Sequence, residues 1–499
     1  MMHLLVIALA ACVFIHDSNG RSAMADELPS SWIAALSIGP QVVIALFVWA
    51  WLWRCGRKLD RTGSPVYLGS ADSVLTMSRL LIVGVQLVSV LWLGWLDVVR
   101  DAIGDSVLVD EFFATAPALL AIVAGWAAYY PIDARLRHAR LFAAMERGET
   151  VYPPPTLGQY LLDQTRHQML IVLIPIALLM AWSETLAMLA PTIARWMGET
   201  VDGEAAYTDR VGLAVAGLQL LGAAAVLSIA PALMRYIWST VAMGPGALRD
   251  RLQSLCDRHG VRHRGLLVWR THGTMINGAV MGLFGRLRFI LLTDALLDSL
   301  PDSQVEAVMA HEIAHVKKRH LPWLMAILVA SVGLAGALVS GLIIVAPALL
   351  GAPAESIPGW NAIGQTGATL AAAALGLWVF GAVSRAFERQ ADAFAVQHLS
   401  GLTRDRAAAR TLVVTPEAAQ AMIGALDSVA DLNHVPRRKF TWRHGSIADR
   451  QRRIAGLVGL PALRLPIDRK VAMIKLAGAA GLLGLAALTA LEYWITTAR

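Results

Sequence analysis

Long apolar segments alternate with short polar and charged segments along most of this 499-residue chain. A helix needs about 20 consecutive apolar residues to cross the hydrocarbon core of a bilayer. Eight segments come close to that length, and each predicts a membrane-spanning helix. They are residues 32–54, 79–97, 113–131, 168–190, 211–237, 322–350, 366–383 and 471–494. The pattern predicts a mainly α-helical, multi-pass membrane protein with the lipid bilayer as a partner.

The composition agrees with a membrane protein and argues against other classes. Hydrophobic residues make up 56% of the chain and charged residues 16%, with a mean hydropathy of +0.56. These values are not those of a soluble protein. The net charge of +7 is not accompanied by an aromatic-basic RNA signature or a basic tail, so we expect no nucleic-acid partner. Three cysteines without paired spacing indicate neither a disulfide framework nor a cysteine metal site.

The loops between the predicted spans alternate in charge. Basic loops follow the first and third spans, with Arg54, Arg57, Lys58 and Arg61, and with Arg135, Arg137, Arg140 and Arg147. Acidic residues join the second span to the third and the fourth to the fifth, namely Asp97, Asp101, Asp105, Asp110 and Glu111, then Glu199, Asp202, Glu204 and Asp209. Cytoplasmic loops carry the excess of Lys and Arg. We therefore expect an outside N-terminus in a cell inner (plasma) membrane, with the segments after spans five and seven facing the cytoplasm.

The first 25 residues permit two interpretations. A short apolar run over residues 4–15 precedes a polar stretch ending in Ala23-Met24-Ala25, which resembles a signal-peptidase site. The run lacks a preceding Lys or Arg, and the polar stretch is long for a signal peptide. A cleaved signal peptide and a retained N-terminal extension both stay open.

The segment after the fifth span contains the chemistry-bearing motif His311-Glu312-Ile313-Ala314-His315. Ser303 and Glu306 follow Pro301 with the spacing of a capping box, which predicts a helix start about two turns before the motif. On that helix the two histidines lie on one face and can bind one Zn²⁺ per chain. Glu312 is then placed to act as the base for a water at the metal.

A catalytic zinc site needs a third protein ligand, and a glutamate from a later helix is one solution. The candidate is Glu388, which follows His315 by 388 − 315 = 73 residues. Arg385, Glu388 and Asp392 share one helical face. Asp392, one turn further on, is positioned to orient a ligand histidine, and Arg385 belongs to the same outer layer. Without the two histidines, a solvated charged face would explain these residues better.

The pair of segments HEIAHVKKRH and SRAFERQAD, separated by two apolar stretches, resembles the integral-membrane gluzincin zinc metalloproteases. This family includes the CAAX prenyl endopeptidases and the HtpX-type heat-shock proteases. The resemblance covers residues 245–455 by motif and the preceding region by layout. It implies a cytoplasmic gluzincin-type α+β protease domain that is split by a membrane hairpin. The implied substrates are proteins or peptides in or near the membrane.

The resemblance also implies further site residues. Asn277 and Gly282 match the N-A-x-x-x-G pattern of an edge strand that holds the substrate backbone. His444 and Arg450 match an H-P-x-x-x-x-R pattern, which makes them catalytic candidates, with His444 as a donor to the oxyanion. The chain departs from these two patterns at Gly278, in place of alanine, and at Gly445, in place of proline.

Several local elements complete the predicted catalytic region. We expect a helix over residues 248–259, a strand over 265–269, and a hairpin formed by 274–281 and 289–292. The run Lys317, Lys318, Arg319 and His320 is expected to lie against anionic headgroups, and His320 is not counted as a ligand. Glu184, within the fourth span, indicates either a functional group or an interrupted span.

The predicted organisation has six parts: a candidate signal peptide (1–25), a membrane region with five spans (26–244), the first half of the catalytic domain (245–321), a membrane hairpin (322–383), its second half (384–470) and a last transmembrane helix (471–499). The predicted activity is that of a zinc-dependent metalloendopeptidase. Narrow CAAX-type processing and broad quality control both remain open. The alternative from another class is a catalytically inactive membrane scaffold or transporter that retains the motif, and the intact motif residues argue against it.

Overall fold

The computed structural model describes residues 2–64, 66–146, 153–198, 209–273, 275–282, 284–349, 360–402, 411–433 and 435–497. Within it the chain divides into two compact units, Met1–Ser239 and Thr240–Arg499. Arg147, Glu199, Asp202 and Glu204, which contribute to the loop charges, lie outside the described residues. The division falls a few residues before the predicted start of the catalytic domain, so a short strand at 240–242 belongs to the second unit.

The first unit is entirely helical over its described residues. Its helices are α1 (Met2–Asn19), α2 (Ala23–Glu27), α3 (Ser30–Thr62), α4 (Val66–Leu91), α5 (Trp95–Ile103), α6 (Val109–Glu146), α7 (Leu157–Gln164), α8 (Ile171–Trp196) and α9 (Asp209–Ile237). A π-helical segment, Thr165–Leu170, joins α7 to α8. Helix α8 continues without a break through Glu184.

The N-terminal helix α1 is part of the core of the first unit. Its residues Val6 and Leu9 are buried in the same cluster as Ile82 of α4 and Ile122 of α6. A polar pair, Gln41 and Gln86, also crosses this interior, and Gln86 donates to a backbone carbonyl of α6. The Nε2 group of each glutamine thus has an acceptor, which lowers the cost of burying it in an apolar interior.

The second unit combines one small sheet with eight helices over its described residues. The strands are β1 (Thr240–Ala242), β2 (Gly265–Trp269), β3 (Gly278–Met281) and β4 (Phe289–Thr293). The helices are α10 (Ala247–His259), α11 (Asp294–Ser299), α12 (Asp302–Lys317), α13 (His320–Leu349), α14 (Trp360–Leu399), α15 (Pro416–Leu432), α16 (Ile447–Ala455) and α17 (Pro466–Thr497), with a 3₁₀ turn at Gly285–Leu287. The predicted α+β character of the catalytic region is confirmed.

The sheet has the strand order β1-β2-β4-β3. Strand β4 is buried at all five positions and pairs in parallel with β2 and antiparallel with β3. The expected hairpin is therefore present, although its first strand begins at Gly278 rather than near residue 274. Strand β3 lies at the end of the sheet, so one of its edges does not pair with another strand of this sheet.

The helix with the HExxH motif begins at Asp302, with Pro301 at the N-cap position and no side-chain cap. The predicted capping box is therefore wrong: Ser303 already lies inside the first turn. Glu306 turns elsewhere and accepts a hydrogen bond from His398 Nε2 at 3.0 Å. Proline favours a helix start by its fixed φ and its lack of an N–H, so this end forms without the box.

Seven helices within the described residues are long and apolar enough to cross a membrane. They are Ser30–Thr62, Val66–Leu91, Val109–Ala139, Leu157–Trp196, Arg210–Ile237, His320–Ile343 and Pro466–Leu491. The eighth predicted span, residues 366–383, lies within α14, where part of the side chains fall outside the described residues. The chain is thus a mainly helical, multi-pass membrane protein, as predicted.

Candidate metal centre and active site

The side chains predicted to bind metal come from two long helices, α12 and α14. One face of α12 is anchored in the core of the second unit by Met309, Ala310 and Ile313, all fully buried. The helical repeat then places His311 and His315 together on another face. Glu388 lies well inside α14, where Ala391 and Ala395 are buried in the same core. Both helices are therefore fixed by packing, which sets the positions of their polar side chains.

The structure brings His311, His315 and Glu388 into one cluster whose candidate ligand atoms lie within 4.8 Å of one another. His311 Nε2 lies 3.3 Å from His315 Nε2 and 3.5 Å from Glu388 Oε2, and His315 Nε2 lies 3.6 Å from Glu388 Oε1. Tetrahedral zinc with bonds of about 2.05 Å separates its ligand atoms by about 3.3 Å. The spacing and the two-imidazole, one-carboxylate donor set therefore fit Zn²⁺.

The electrostatics of the cluster favour a cation. Burial lowers the pKa of His311, but its contacts with Asp392 and Glu388 outweigh burial and raise that pKa to about 10. Burial, together with the charge of His311, lowers the pKa of His315 to about 3. Glu388 is also buried, yet the neighbouring histidines and Arg450 hold its pKa well below the usual value. The carboxylates thus stabilise positive charge where the two Nε2 atoms meet.

Asp392 and Arg450 form the layer behind the cluster. Asp392 Oδ1 lies 2.9 Å from His311 Nδ1. Arg450 donates to both carboxylate oxygens of Asp392, at 2.6 and 2.8 Å. Burial opposes ionisation of Asp392, but Arg450 overcomes it and lowers the pKa of Asp392 to about 2. A carboxylate that is held ionised can orient His311, which is the arrangement expected behind a metal-binding histidine.

Glu312 lies beside the cluster but outside the set of three ligands. Desolvation by burial, the largest cause, raises the pKa of Glu312 to about 7, against the opposing charges of His311 and Arg450. The backbone of Val280 on strand β3 acts in the opposite direction and lowers the pKa of Glu312. A carboxyl group whose pKa lies near neutrality can accept and release a proton at that pH.

His444 contacts the cluster from a short loop, and Arg385 contacts that loop. His444 Nδ1 lies 3.1 Å from Glu388 Oε2, and the His444 side chain is 49% exposed, so solvent or substrate can reach it. Arg385 does not contact the three-residue cluster; it donates to the carbonyl of Trp442 at 2.6 Å. Arg385 therefore contacts the loop that carries His444 rather than a ligand.

Gly445, which stands in place of the family's proline, adopts a left-handed conformation with φ = +77°. Its N–H donates to the carbonyl of Thr441, and its carbonyl accepts from the N–H and the hydroxyl of Thr441. Proline has neither this φ nor an N–H. The departure from the family pattern therefore belongs to a defined turn in this chain.

A cavity of about 530 Å³ opens beside the cluster. Gly278 and Val280 of strand β3 form one wall together with Asn277, which directly precedes the strand. Other lining residues are His311, Glu312, His315, Glu388, Arg443, His444 and Arg450. Gly278 lies close to α12, since a Cβ there would come within 3.0 Å of Val308 Cγ1. Gly282 lies beyond the cavity wall, at the turn after β3 with φ = +101°, where a side chain would collide with the carbonyl of Leu287.

Sequence reasoning missed the side chains behind His315. His320 is 3% exposed and lies next to His315, with 3.1 Å between their Nδ1 atoms. The expectation that His320 lies against lipid headgroups is therefore wrong, whereas Lys317 and Arg319 are exposed. His320 also contacts Gln390, which in turn contacts Asp468. No periodic signal reaches across the helix break at Lys318 and Arg319, so these partners could be found only from the fold.

The chain is similar to a known protein family and to solved structures. The crystal structure of S. mikatae Ste24p resembles this chain with a TM-score of 0.44 and 16% sequence identity, covering 86% of this chain and 99% of that one. None of the curated proteins matches the sequence at a significant level. Residues 246–458 match the model of peptidase family M48. The family resemblance of the two motifs is thereby confirmed: residues 246–458 of this membrane protein are similar to peptidase family M48.

Proposed function

We propose that this protein is a zinc-dependent membrane metalloendopeptidase with one Zn²⁺ per chain, held by His311, His315 and Glu388. The observation that carries the proposal is the convergence of two imidazoles and one carboxylate: the two Nε2 atoms lie 3.3 Å apart, Glu388 Oε2 lies 3.5 Å from His311 Nε2, and Glu388 Oε1 lies 3.6 Å from His315 Nε2. These spacings are close to the edge of about 3.3 Å expected between the ligand atoms of a tetrahedral zinc site. The family match over residues 246–458 supports the same reaction class.

The bound ion would polarise the scissile carbonyl and lower the pKa of the attacking water to about 7. Glu312 lines the same cavity, and its raised pKa suits a base that takes a proton from that water. The protonated Glu312 can then deliver the proton to the leaving amine. Asp392, which Arg450 holds ionised, lies 2.9 Å from His311 Nδ1, where its charge can orient the His311 ring.

Substrate binding is assigned to strand β3 and His444. The end strand of the sheet forms a wall of the cavity beside Glu312, so an extended peptide can add to it through main-chain hydrogen bonds. Asn277 lies at the start of this wall and His444 also lines the cavity. We propose that His444 donates to the oxyanion. We propose that Gly282, with φ = +101°, shapes the turn that follows this strand.

The substrate is proposed to be a protein or peptide that is embedded in, or lies close to, the membrane. Two lining residues of the cavity, Leu321 and Leu324, belong to the first turns of α13, which continues as a candidate membrane span. The cavity is therefore open to a polypeptide near the bilayer surface. CAAX-type processing and quality control share this requirement, and the cavity residues favour neither.

Metal analysis of the purified full-length protein tests the proposal. Wild type is expected to hold about one Zn²⁺ per chain, and His315→Ala and Glu388→Ala should lose it together with peptidase activity. Glu417→Gln, which changes an exposed carboxylate on α15, serves as a control that should keep both.

Two results would contradict this assignment. Full zinc content in both ligand variants would show that the metal binds elsewhere. A zinc-loaded wild type that cleaves no membrane-protein substrate, tested by comparing membrane proteomes with and without the active protein, would favour the inactive scaffold or transporter instead.

A further inference from the structure

A network of polar side chains, of which His320 and Gln390 are buried, leads from the metal cluster to the start of helix α17. His315 Nδ1 lies 3.1 Å from His320 Nδ1, and His320 Nε2 lies 2.9 Å from Gln390 Oε1. The amide nitrogen of Gln390 donates to Asp468 Oδ1 at 2.7 Å. Lys318 Nζ contacts the same carboxylate oxygen at 3.0 Å. This network therefore joins four helices, α12, α13, α14 and α17.

The donor and the acceptor of each hydrogen bond in this network can be assigned by starting from Asp468, at the end farthest from the metal cluster. An ionised carboxylate only accepts, so Gln390 presents its N–H to Asp468 and its carbonyl oxygen to His320. His320 must then donate from Nε2, which leaves its Nδ1 as an acceptor in the neutral ring. His315 consequently donates from Nδ1, and its remaining lone pair lies on Nε2.

This lone pair is the one that faces the cluster. His315 Nε2 lies 3.3 Å from His311 Nε2 and 3.6 Å from Glu388 Oε1. This network thus selects, out of the two tautomers of His315, the one that can bind a metal through Nε2. Asp392 has the corresponding place behind His311, where it lies 2.9 Å from Nδ1.

His320, the central residue of this network, is held firmly. The ring of His320 stacks on Phe387 with 4.4 Å between centroids and 8° between planes. His320 and Gln390 are only 3% and 4% exposed. Water therefore has little access to compete for these bonds, and the rotation of the His320 ring is limited by the stacking.

We propose that His320, Gln390 and Asp468 are positioning residues that fix the tautomer and the ring orientation of His315 for metal binding. The proposal rests on the zinc site proposed for His311, His315 and Glu388. Partners of this kind usually change metal affinity by about 10–100-fold when they are removed. The same network connects the metal site to α17, a candidate membrane span.

Zinc affinity of the full-length protein in detergent, measured by competition with a chelator, tests this role. His320→Phe keeps a ring that can stack on Phe387 but lacks both nitrogens, so zinc should dissociate about 10–100-fold more readily than from wild type. His320→Asn retains a polar group near the Nδ1 position and should recover part of that loss. Gln390→Leu should weaken zinc binding in the same direction.

Gln397→Leu is the matched control for Gln390→Leu. Gln397 lies 397 − 390 = 7 residues further along α14, is 3% exposed, and donates to the carbonyl of Ala462 at 2.7 Å. Both substitutions remove one buried amide from the same helix. Gln397→Leu is expected to lower the thermal unfolding temperature and leave the zinc dissociation constant unchanged.

Two outcomes would overturn the proposal. One is a zinc dissociation constant for His320→Phe within about threefold of wild type, well short of the expected loss. The other is an equal loss of affinity in Gln397→Leu and Gln390→Leu, which would assign the effect to stability alone. Wild type is measured first, because a wild type without zinc would refute the zinc site itself rather than the role of His320.

Discussion

The carboxyl group of Glu312 shares the cavity with the metal cluster without being one of its three ligands. Metal binding and proton transfer are therefore expected to separate in one variant. Glu312→Gln should retain zinc, since the amide leaves His311 and His315 untouched, and should lower kcat by about 10²–10⁴-fold because the base is lost. Metal analysis and peptidase assays on one preparation check both parts. Turnover within tenfold of wild type would mean that another group is the base.

His444 contacts Glu388 and lines the cavity, so it can act on the substrate or on a ligand. We expect His444→Phe to lower kcat by about 10²–10³-fold with unchanged zinc content, as for the loss of an oxyanion donor. The measurement is kcat divided by the zinc content of the same preparation. If zinc is lost and the turnover per bound zinc stays normal, His444 serves to hold Glu388 instead.

At the scale of single residues, the sequence was informative where the signal is local. His311 and His315 are one helical turn apart on α12, and Glu388 and Asp392 are one helical turn apart on α14. In both cases the helical repeat alone places the two side chains on one face. His320 was misplaced because the chain breaks its helix at Arg319, where φ is +53°. A side chain beyond such a break can turn inward, and hydrophobic periodicity does not report that turn.

At the scale of elements, the length of an apolar run predicted the existence of spans better than their ends. The predicted span over residues 79–97 corresponds to α4, which already ends at Leu91. The remaining apolar residues belong to α5, which begins after Gly94 with φ = +74°. A turn between two apolar helices leaves the hydrophobic pattern almost continuous, so the sequence alone does not mark it.

Helix α12 is tied to its neighbours by Glu306, which accepts from His398 of α14 and lies 3.6 Å from Arg258 of α10. The hydrogen bond from His398 lowers the pKa of Glu306 below its ordinary value. A carboxyl group with a lowered folded-state pKa stabilises the fold above its unfolded pKa, and this stability disappears as the pH falls through the folded pKa. The ion contacts of Glu306 are therefore expected to matter at neutral pH and to vanish in acid.

Glu306→Gln should accordingly destabilise the protein at pH 7 by on the order of 1 kcal/mol, since the group is partly exposed. The difference from wild type should shrink as the pH is lowered below about 4, where the wild-type carboxyl group is also protonated. Thermal unfolding at several pH values measures it, with Glu417→Gln as an exposed control. A difference that is constant with pH would assign the effect to packing and not to charge.

At the scale of the whole molecule, the charge pattern of the loops predicts how the chain is oriented in its membrane. Arg57, Lys58 and Arg61 lie at the end of the first candidate span, while Asp101 and Asp105 precede the third. Because positively charged loops are retained on the cytoplasmic side, the chain should expose residue 105 outside and the metal centre inside. This orientation would give the protease access to the cytoplasmic ends of membrane substrates.

Labelling of single introduced cysteines with a membrane-impermeant maleimide tests the orientation. The native residues Cys12, Cys55 and Cys256 are buried, so the background from them should be low. Asp105→Cys replaces a side chain that is 80% exposed, and Arg249→Cys places the label on the exposed surface of α10 in the catalytic unit. We expect label at position 105 in intact cells, and at position 249 only after the membrane is permeabilised. Label at position 249 in intact cells would show that the topology is the reverse of the predicted one. Substrates would then have to be sought on the outer side of the membrane.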